Sequence, residues 1–225
     1  ISNLCKTKIN MEVLNEKIFS LLLVISCIFF WNTNVWAYTD YNVNNNYENY
    51  SITSQGFLLY YDDFKIYHTN DFYQFQYENN CVPTFAANVL SYYKRFGFDL
   101  YDGDITQNMY DEIASLTEYS PDKGAPAGKI YKAIKTYAER AGYRFETDDY
   151  LFDLWSDVTR DIKYGYPVLA AYNENDFSHA YMVVGFRVID GVKQLYVVTN
   201  WEYPEYEWLN FDGAGFQMRS YKITY

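Results

Sequence analysis

Cys81, in the run Asn79-Asn80-Cys81-Val82-Pro83-Thr84, and His179, in Ser178-His179-Ala180-Tyr181-Met182-Val183-Val184-Gly185, are the side chains of this sequence best suited to nucleophilic chemistry. A thiol attacks carbonyls as the thiolate, yet a free thiol with a pKa of about 8.5 is mostly protonated at neutral pH. Two things help it: the N–H groups at a helix N-terminus, and an imidazole able to take the proton. Pro83 is tolerated in a first helical turn and almost nowhere later, so Cys81 is expected to open a helix. A lone cysteine is more commonly a buried structural residue, but Glu78, Asn79 and Asn80 argue against a dry core. The base is His68 or His179. His68, in Ile66-Tyr67-His68-Thr69-Asn70, lies in a polar stretch without periodicity and reads as a surface or pro-region histidine. His179 opens a strand-like run about 100 residues after the cysteine, following an expected loop over 173–178, so its ring can face a cleft; the alternative is a strand-edge histidine in solvent. Asn200-Trp201 follows. Two histidines and one cysteine beyond the leader fall short of the three or four ligands of a zinc site, so no metal is expected.

These residues need a helix, a strand and a turn to hold them together. Phe85, Ala86, Val89, Leu90, Tyr93 and Phe96 recur at helical spacing over 83–96, with Gly97 as a stop. Further helices are expected over 105–118 and over 127–141, where Ile130, Ile134, Tyr137 and Ala138 form one stripe ended by Gly142. A fourth is expected from Thr147-Asp148-Asp149, a capping sequence, to about Tyr164. The chain then turns β-rich over 167–172, 180–188 and 194–199, with Asp190-Gly191 marking a tight turn. Strands over 205–209 and 216–224 follow, split by Asp212-Gly213-Ala214-Gly215. Helices first and antiparallel strands second define an α+β class: an N-terminal helical lobe packed on a C-terminal antiparallel β-sheet lobe.

The 225 residues are 49% hydrophobic, enough for one domain with a core or two lobes sharing an interface. A net charge of −11, with no basic stripe, gives no electrostatic reason to bind nucleic acid or anionic lipid, so neither is expected as a partner. The 27 tyrosines have two readings, AT-rich codon usage or an aromatic carbohydrate-binding surface. The second needs a repeat or a Trp-rich face, which the sequence does not display. Residues 1–37 read as an export signal, with Met11 the expected start. Ile18 to Phe30 is an apolar run after Lys17, shorter than the roughly 20 residues of a membrane span. Val35-Trp36-Ala37 puts small residues where a signal peptidase reads, predicting cleavage before Tyr38. An uncleaved anchor is the alternative. Val24-Ile25-Ser26-Cys27 also fits a lipoprotein box, ranked below simple secretion because Ile28-Phe29-Phe30-Trp31 continues the apolar stretch. The folded part is thus expected to be secreted or at the cell surface, with no membrane span after signal cleavage. A single cysteine stands out there, because extracellular domains that use cysteine structurally use it in pairs. Residues 38–63, poor in aliphatics at first, read as a linker or short pro-segment, and 64–225 as the catalytic domain.

Taken together, Asn80 to Leu90, His179 to Phe186 and Asn200-Trp201 resemble the Cys, His and Asn blocks of papain-like cysteine peptidases. The likeness is to bacterial secreted types, the streptopain type and the family related to bacteriocin-leader-processing peptidases. Gly165-Tyr166-Pro167-Val168 is similar to the strand that precedes their histidine loop, and the resemblance spans about 70–215. It implies a papain-like fold, no cofactor, and a peptide or protein substrate. It also implies roles: Cys81 the nucleophile, His179 the base and acid, paired as thiolate and imidazolium, and Asn200 the residue whose side-chain oxygen accepts the imidazole N–H under a shield of Trp201. The oxyanion hole of such enzymes adds a Gln amide to the nucleophile's own N–H. Gln74 and Gln76 bracket the expected spacing; Gln76 is taken first and Gln74 second, with Asn79 or Asn80 as other donors. No long pro-domain is present between Tyr38 and Asp63, which fits an enzyme secreted active, restrained by a partner, or not a general protease. A cell-wall peptide amidase or acyl transferase would use the same Cys-then-His order, and a catalytically inactive papain-like binding module is the third reading.

Overall fold

The apolar spacing after Cys81 forms helix α1, Cys81–Arg95, in which every side chain from Val82 to Tyr93 is buried. A helix apolar all round belongs at the centre of a core, and α1 lies there. It ends in a Schellman motif: Gly97, at φ 107, donates to the Lys94 carbonyl at 3.1 Å, and Phe98 to that of Tyr93 at 3.0 Å. Helices α2, Gln107–Leu116, and α3, Ile130–Arg140, pack on α1. The Thr106 side chain caps α2 by accepting from the Met109 N–H, while α3 follows a 3-10 turn at Ala127–Lys129 and buries Ile130, Ala133, Ile134, Tyr137 and Ala138. The computed structural model describes residues 51–72, 79–150, 154–174, 177–212 and 216–225. No helix among these residues is long and apolar enough to cross a membrane.

The other layer is an antiparallel seven-stranded sheet of β1 (Ile52–Phe57), β2 (Arg144–Asp149), β3 (Val168–Glu174), β4 (Phe177–Ile189), β5 (Val192–Val198), β6 (Tyr206–Asn210) and β7 (Phe216–Thr224). Its order is β2-β7-β3-β4-β5-β6, with β1 also paired to β4. The register sets Tyr172 opposite His179 and Ala171 opposite Ala180. Asp190 and Gly191, both at positive φ, make the tight β4–β5 turn expected from Asp-Gly. The protein is therefore α+β, with helices beside an antiparallel sheet. One helix lies apart from the others. Successive residues of a strand point to opposite faces; Tyr221 of β7 packs on α1 through Phe85, ring centroids 5.5 Å apart, while Ser220 lies beside Asp161. Asp161 belongs to α4, Leu154–Lys163, so α1 and α4 cover opposite faces.

Two expectations give way here. Thr147-Asp148-Asp149 does not start a helix but lies in β2, paired in register with Tyr221, Ser220 and Arg219 of β7. Residues that cap helices also suit a polar sheet edge, and the carboxylates meet cations there: Asp148 with Arg160 at 3.3 Å and Lys222 at 3.6 Å, Asp149 with Arg219. Within the segment read as a linker, 38–63, residues from Ile52 pair with Ile189 to Gly185 of β4 as β1. Both strands are edges with little apolar alternation, which is why the pattern did not mark them.

Candidate active site

Cys81 is the first residue of α1 and is half-buried. Asn80 occupies the N-cap but makes no capping bond; it is buried, and its amide donates instead to the Thr69 carbonyl at 2.7 Å. The backbone N–H groups of Cys81, Val82 and, from β4, Ala180 lie close enough to the sulfur to favour its thiolate. Burial nonetheless outweighs these donors and pushes the thiol pKa above its ordinary value. Ala180 is the neighbour of His179, so the histidine strand passes the start of the helix.

His179 lies in β4 with its ring 5% exposed overall as a residue, and burial holds the imidazole pKa below its ordinary 6.5, against a hydrogen bond to Thr199 that raises it. Nε2 lies 2.6 Å from the Thr199 carbonyl oxygen. A carbonyl can only accept, so Nε2 carries the proton in this pairing. Trp201 lies 4.2 Å away by ring centroids, tilted 31°, and Tyr181 meets the imidazole edge-on at 4.6 Å. This is where the expected role of Asn200 changes. Its side-chain oxygen accepts from Asn88 Nδ2 at 2.8 Å, and its amide donates to the Ala180 carbonyl. The Asn88 amide is oriented by Tyr67, whose N–H it accepts at 2.7 Å and whose carbonyl it bonds at 2.9 Å. Asn200 therefore presents oxygen to Asn88, and the imidazole takes the preceding carbonyl.

Cys81 and His179 line one cleft of about 460 Å³. Ala171, Tyr172 and Ala180 of the sheet form one side; Ser120, Lys123, Gly124, Ala125 and Pro126 form the other. Gly124, at φ +68, abuts Asn79, two residues before Cys81: a Cβ there would lie 3.0 Å from the Asn79 carbonyl oxygen. Of the proposed oxyanion donors, Asn79 lines the cleft and the Asn80 amide is committed to Thr69, while Gln74 and Gln76 lie outside the described residues. His68, read as a surface or pro-region residue, is half-buried and bonds Glu205 at 2.9 Å. The sequence reading missed Asn88 and Thr199. For Asn88 a signal existed, since a polar amide inside the apolar run Phe85 to Leu90 must find a buried partner. A backbone carbonyl such as that of Thr199 leaves no signal. Among the described residues no group of three His, Cys, Asp or Glu side chains is assembled to hold a metal.

Residues 61–218 match the family model described as Peptidase_C39 like family. No curated protein matches the chain.

Proposed function

The chain belongs to the Peptidase_C39 like family, within the papain-like cysteine peptidases, and from that premise we propose that it hydrolyses peptide bonds with Cys81 as nucleophile and His179 as base. One observation carries this reading: Cys81 at the start of α1 and His179 of β4 line the same cleft. In the reaction Sγ attacks the scissile carbonyl carbon while its proton passes to Nδ1 of His179. In this reading the backbone N–H of Cys81 meets the oxyanion. The imidazolium then gives the proton to the leaving amine as the C–N bond breaks. Water, deprotonated by the same nitrogen, releases the acyl group from sulfur and restores the thiol. Burial disfavours both charged forms, so thiol and neutral imidazole are the resting pair in this reading, and the thiolate and imidazolium arise during attack.

The test is peptide-library hydrolysis by the full chain and by Cys81→Ala. Wild type should turn over a subset of peptides and Cys81→Ala should lose at least about 10⁴-fold in kcat/KM. Equal turnover by the two proteins would sink the proposal. Amine-dependent acyl transfer in place of hydrolysis would assign the same dyad to a transferase, and turnover confined to cell-wall peptides to an amidase. The apolar run before Val35-Trp36-Ala37 supports export to the cell surface or medium. Mature protein starting at Tyr38 in the medium is the expected result of fractionation and N-terminal sequencing; full-length protein in the cytosol would exclude it.

A further inference from the structure

The Thr199–Asn200 peptide is held from every side. The Thr199 N–H donates to the Glu205 carbonyl at 2.9 Å, and its hydroxyl bonds the Pro204 carbonyl and accepts the Trp201 N–H at 3.1 Å. Asn200 is fully buried, its backbone is left-handed at φ 65, and its carbonyl accepts the Thr69 N–H at 2.9 Å. Thr69 in turn accepts the Asn80 amide, from the residue before the nucleophile. Two turns along α1, Asn88 ties Tyr67 to the Asn200 side chain. The segment 67–69 is thus bonded both to α1 and to the turn whose carbonyl receives His179 Nε2.

We propose that the Thr199 backbone carbonyl, not the Asn200 side chain, orients His179, and that Asn200 and Asn88 are positioning residues that hold that carbonyl in line with α1. Asn200 acts through its backbone: Asn tolerates the left-handed region better than most residues, and its side chain locks the turn to Asn88 and Ala180. A side-chain acceptor would place the orienting group on a rotatable arm. A carbonyl between an ordered threonine and a left-handed asparagine has no such freedom. The inference rests on His179 being the base, and its test separates the two ideas.

Glycine and alanine at position 200 both delete the side chain, but only glycine keeps the left-handed backbone without strain. The full chain labelled with ¹⁵N-histidine gives two ring systems, the His179 ring being the one absent from His179→Gln. Wild type should show a slowly exchanging proton on Nε2. Asn200→Gly gives up the side-chain lock but keeps the left-handed backbone, so it should keep that tautomer and slow Cys81 alkylation by iodoacetamide by about threefold, whereas Asn200→Ala should slow alkylation by about tenfold or more and lose the protected ring proton. Equal losses in the two variants, or a wild-type ring protonated on Nδ1, would overturn the proposal. Should Asn200→Gly fail to fold, Asn88→Ala serves instead: faster exchange of the Nε2 proton is expected, and a lower melting temperature with an unchanged ring signal would make Asn88 merely structural. Alkylation insensitive to His179→Ala would instead remove His179 as the base, leaving the tautomer result standing.

Discussion

Cys81 and His179 are both pushed toward neutrality by burial, in opposite directions along the pH scale. The imidazole pKa falls below 6.5, so the ring is already a base at neutral pH and the acid limb of activity belongs below pH 6.5. The thiol pKa rises above 9.0, so alkylation of the unliganded protein should climb steadily with pH into that range. A flat, fast alkylation rate between about pH 5 and 7 would mean a resting thiolate–imidazolium pair instead. The same histidine links pH to stability. A folded pKa below the unfolded one means that the unfolded chain binds the proton first, so this contribution is complete above pH 6.5 and is lost as pH falls through the folded value. Urea titrations between pH 7 and 5 should show the decline in wild type and a smaller one in His179→Gln.

Each element bearing on the site is anchored by one residue that its own local pattern does not explain. α4 is held to the sheet by Asp161, which is 1% exposed and bonded to Tyr150 Oη at 2.7 Å and Arg160 Nε at 2.9 Å. Burial works to raise this carboxyl, but the bonds from Arg160 and Tyr150 outweigh it and keep the pKa lowered. Asp161→Ala leaves Arg160 with Asp157 and Asp148 but takes the partner from the Tyr150 hydroxyl, and should cost about 1–3 kcal/mol in urea unfolding; a loss near zero would show that water replaces the carboxylate. β1 depends on Gly185. A Cβ there would lie 2.4 Å from Phe57 Cδ1, because the Phe57 ring crosses β4 to meet Tyr196 edge-on at 5.8 Å. Gly185→Ala should therefore destabilise by about 1–3 kcal/mol and expose Ile52–Phe57 to proteolysis; unchanged cleavage would mean that the ring moves without releasing the strand. Neither β1 nor β2 was legible in the sequence, since Ile-Thr-Ser-Gln-Gly-Phe and Arg-Phe-Glu-Thr-Asp-Asp lack the alternation that a half-buried strand imposes.

At the scale of the molecule, several of the described tyrosines are core residues, although Tyr164, Tyr203 and Tyr225 are exposed. Tyr92, Tyr93, Tyr110 and Tyr221 are among the largest fully buried side chains. Tyr92 and Tyr93 hand their hydroxyls to the carbonyls of Gly165 and Tyr221, and Tyr110 shares a bond with Thr84 at 2.8 Å. Much of the aromatic content that composition left open is thereby used in packing. Charge behaves differently at this scale. Pairs such as Lys65–Asp104, with side chains 53% and 70% exposed, contribute little, whereas a net −11 repels itself. Raising salt from about 0.1 to 0.5 M should raise the melting temperature, because screening removes more repulsion than attraction. A fall would mean that the exposed pairs matter more than the net charge.

Read from sequence alone, this protein already had its class and the candidate pair Cys81 and His179, because each leaves a local mark. Apolar spacing forms α1, Pro83 points to its first turn, and the β-rich run after His179 is a strand. The tertiary structure decided what lies between them. That the imidazole rests on the Thr199 carbonyl, that Asn200 turns to Asn88, and that the 67–69 segment bonds both to the nucleophile helix and to the Thr199–Asn200 turn are consequences of bonds between distant backbone groups. Every residue carries the same N–H and C=O, so their pairing has no signature in residue type and exists only once the chain is folded.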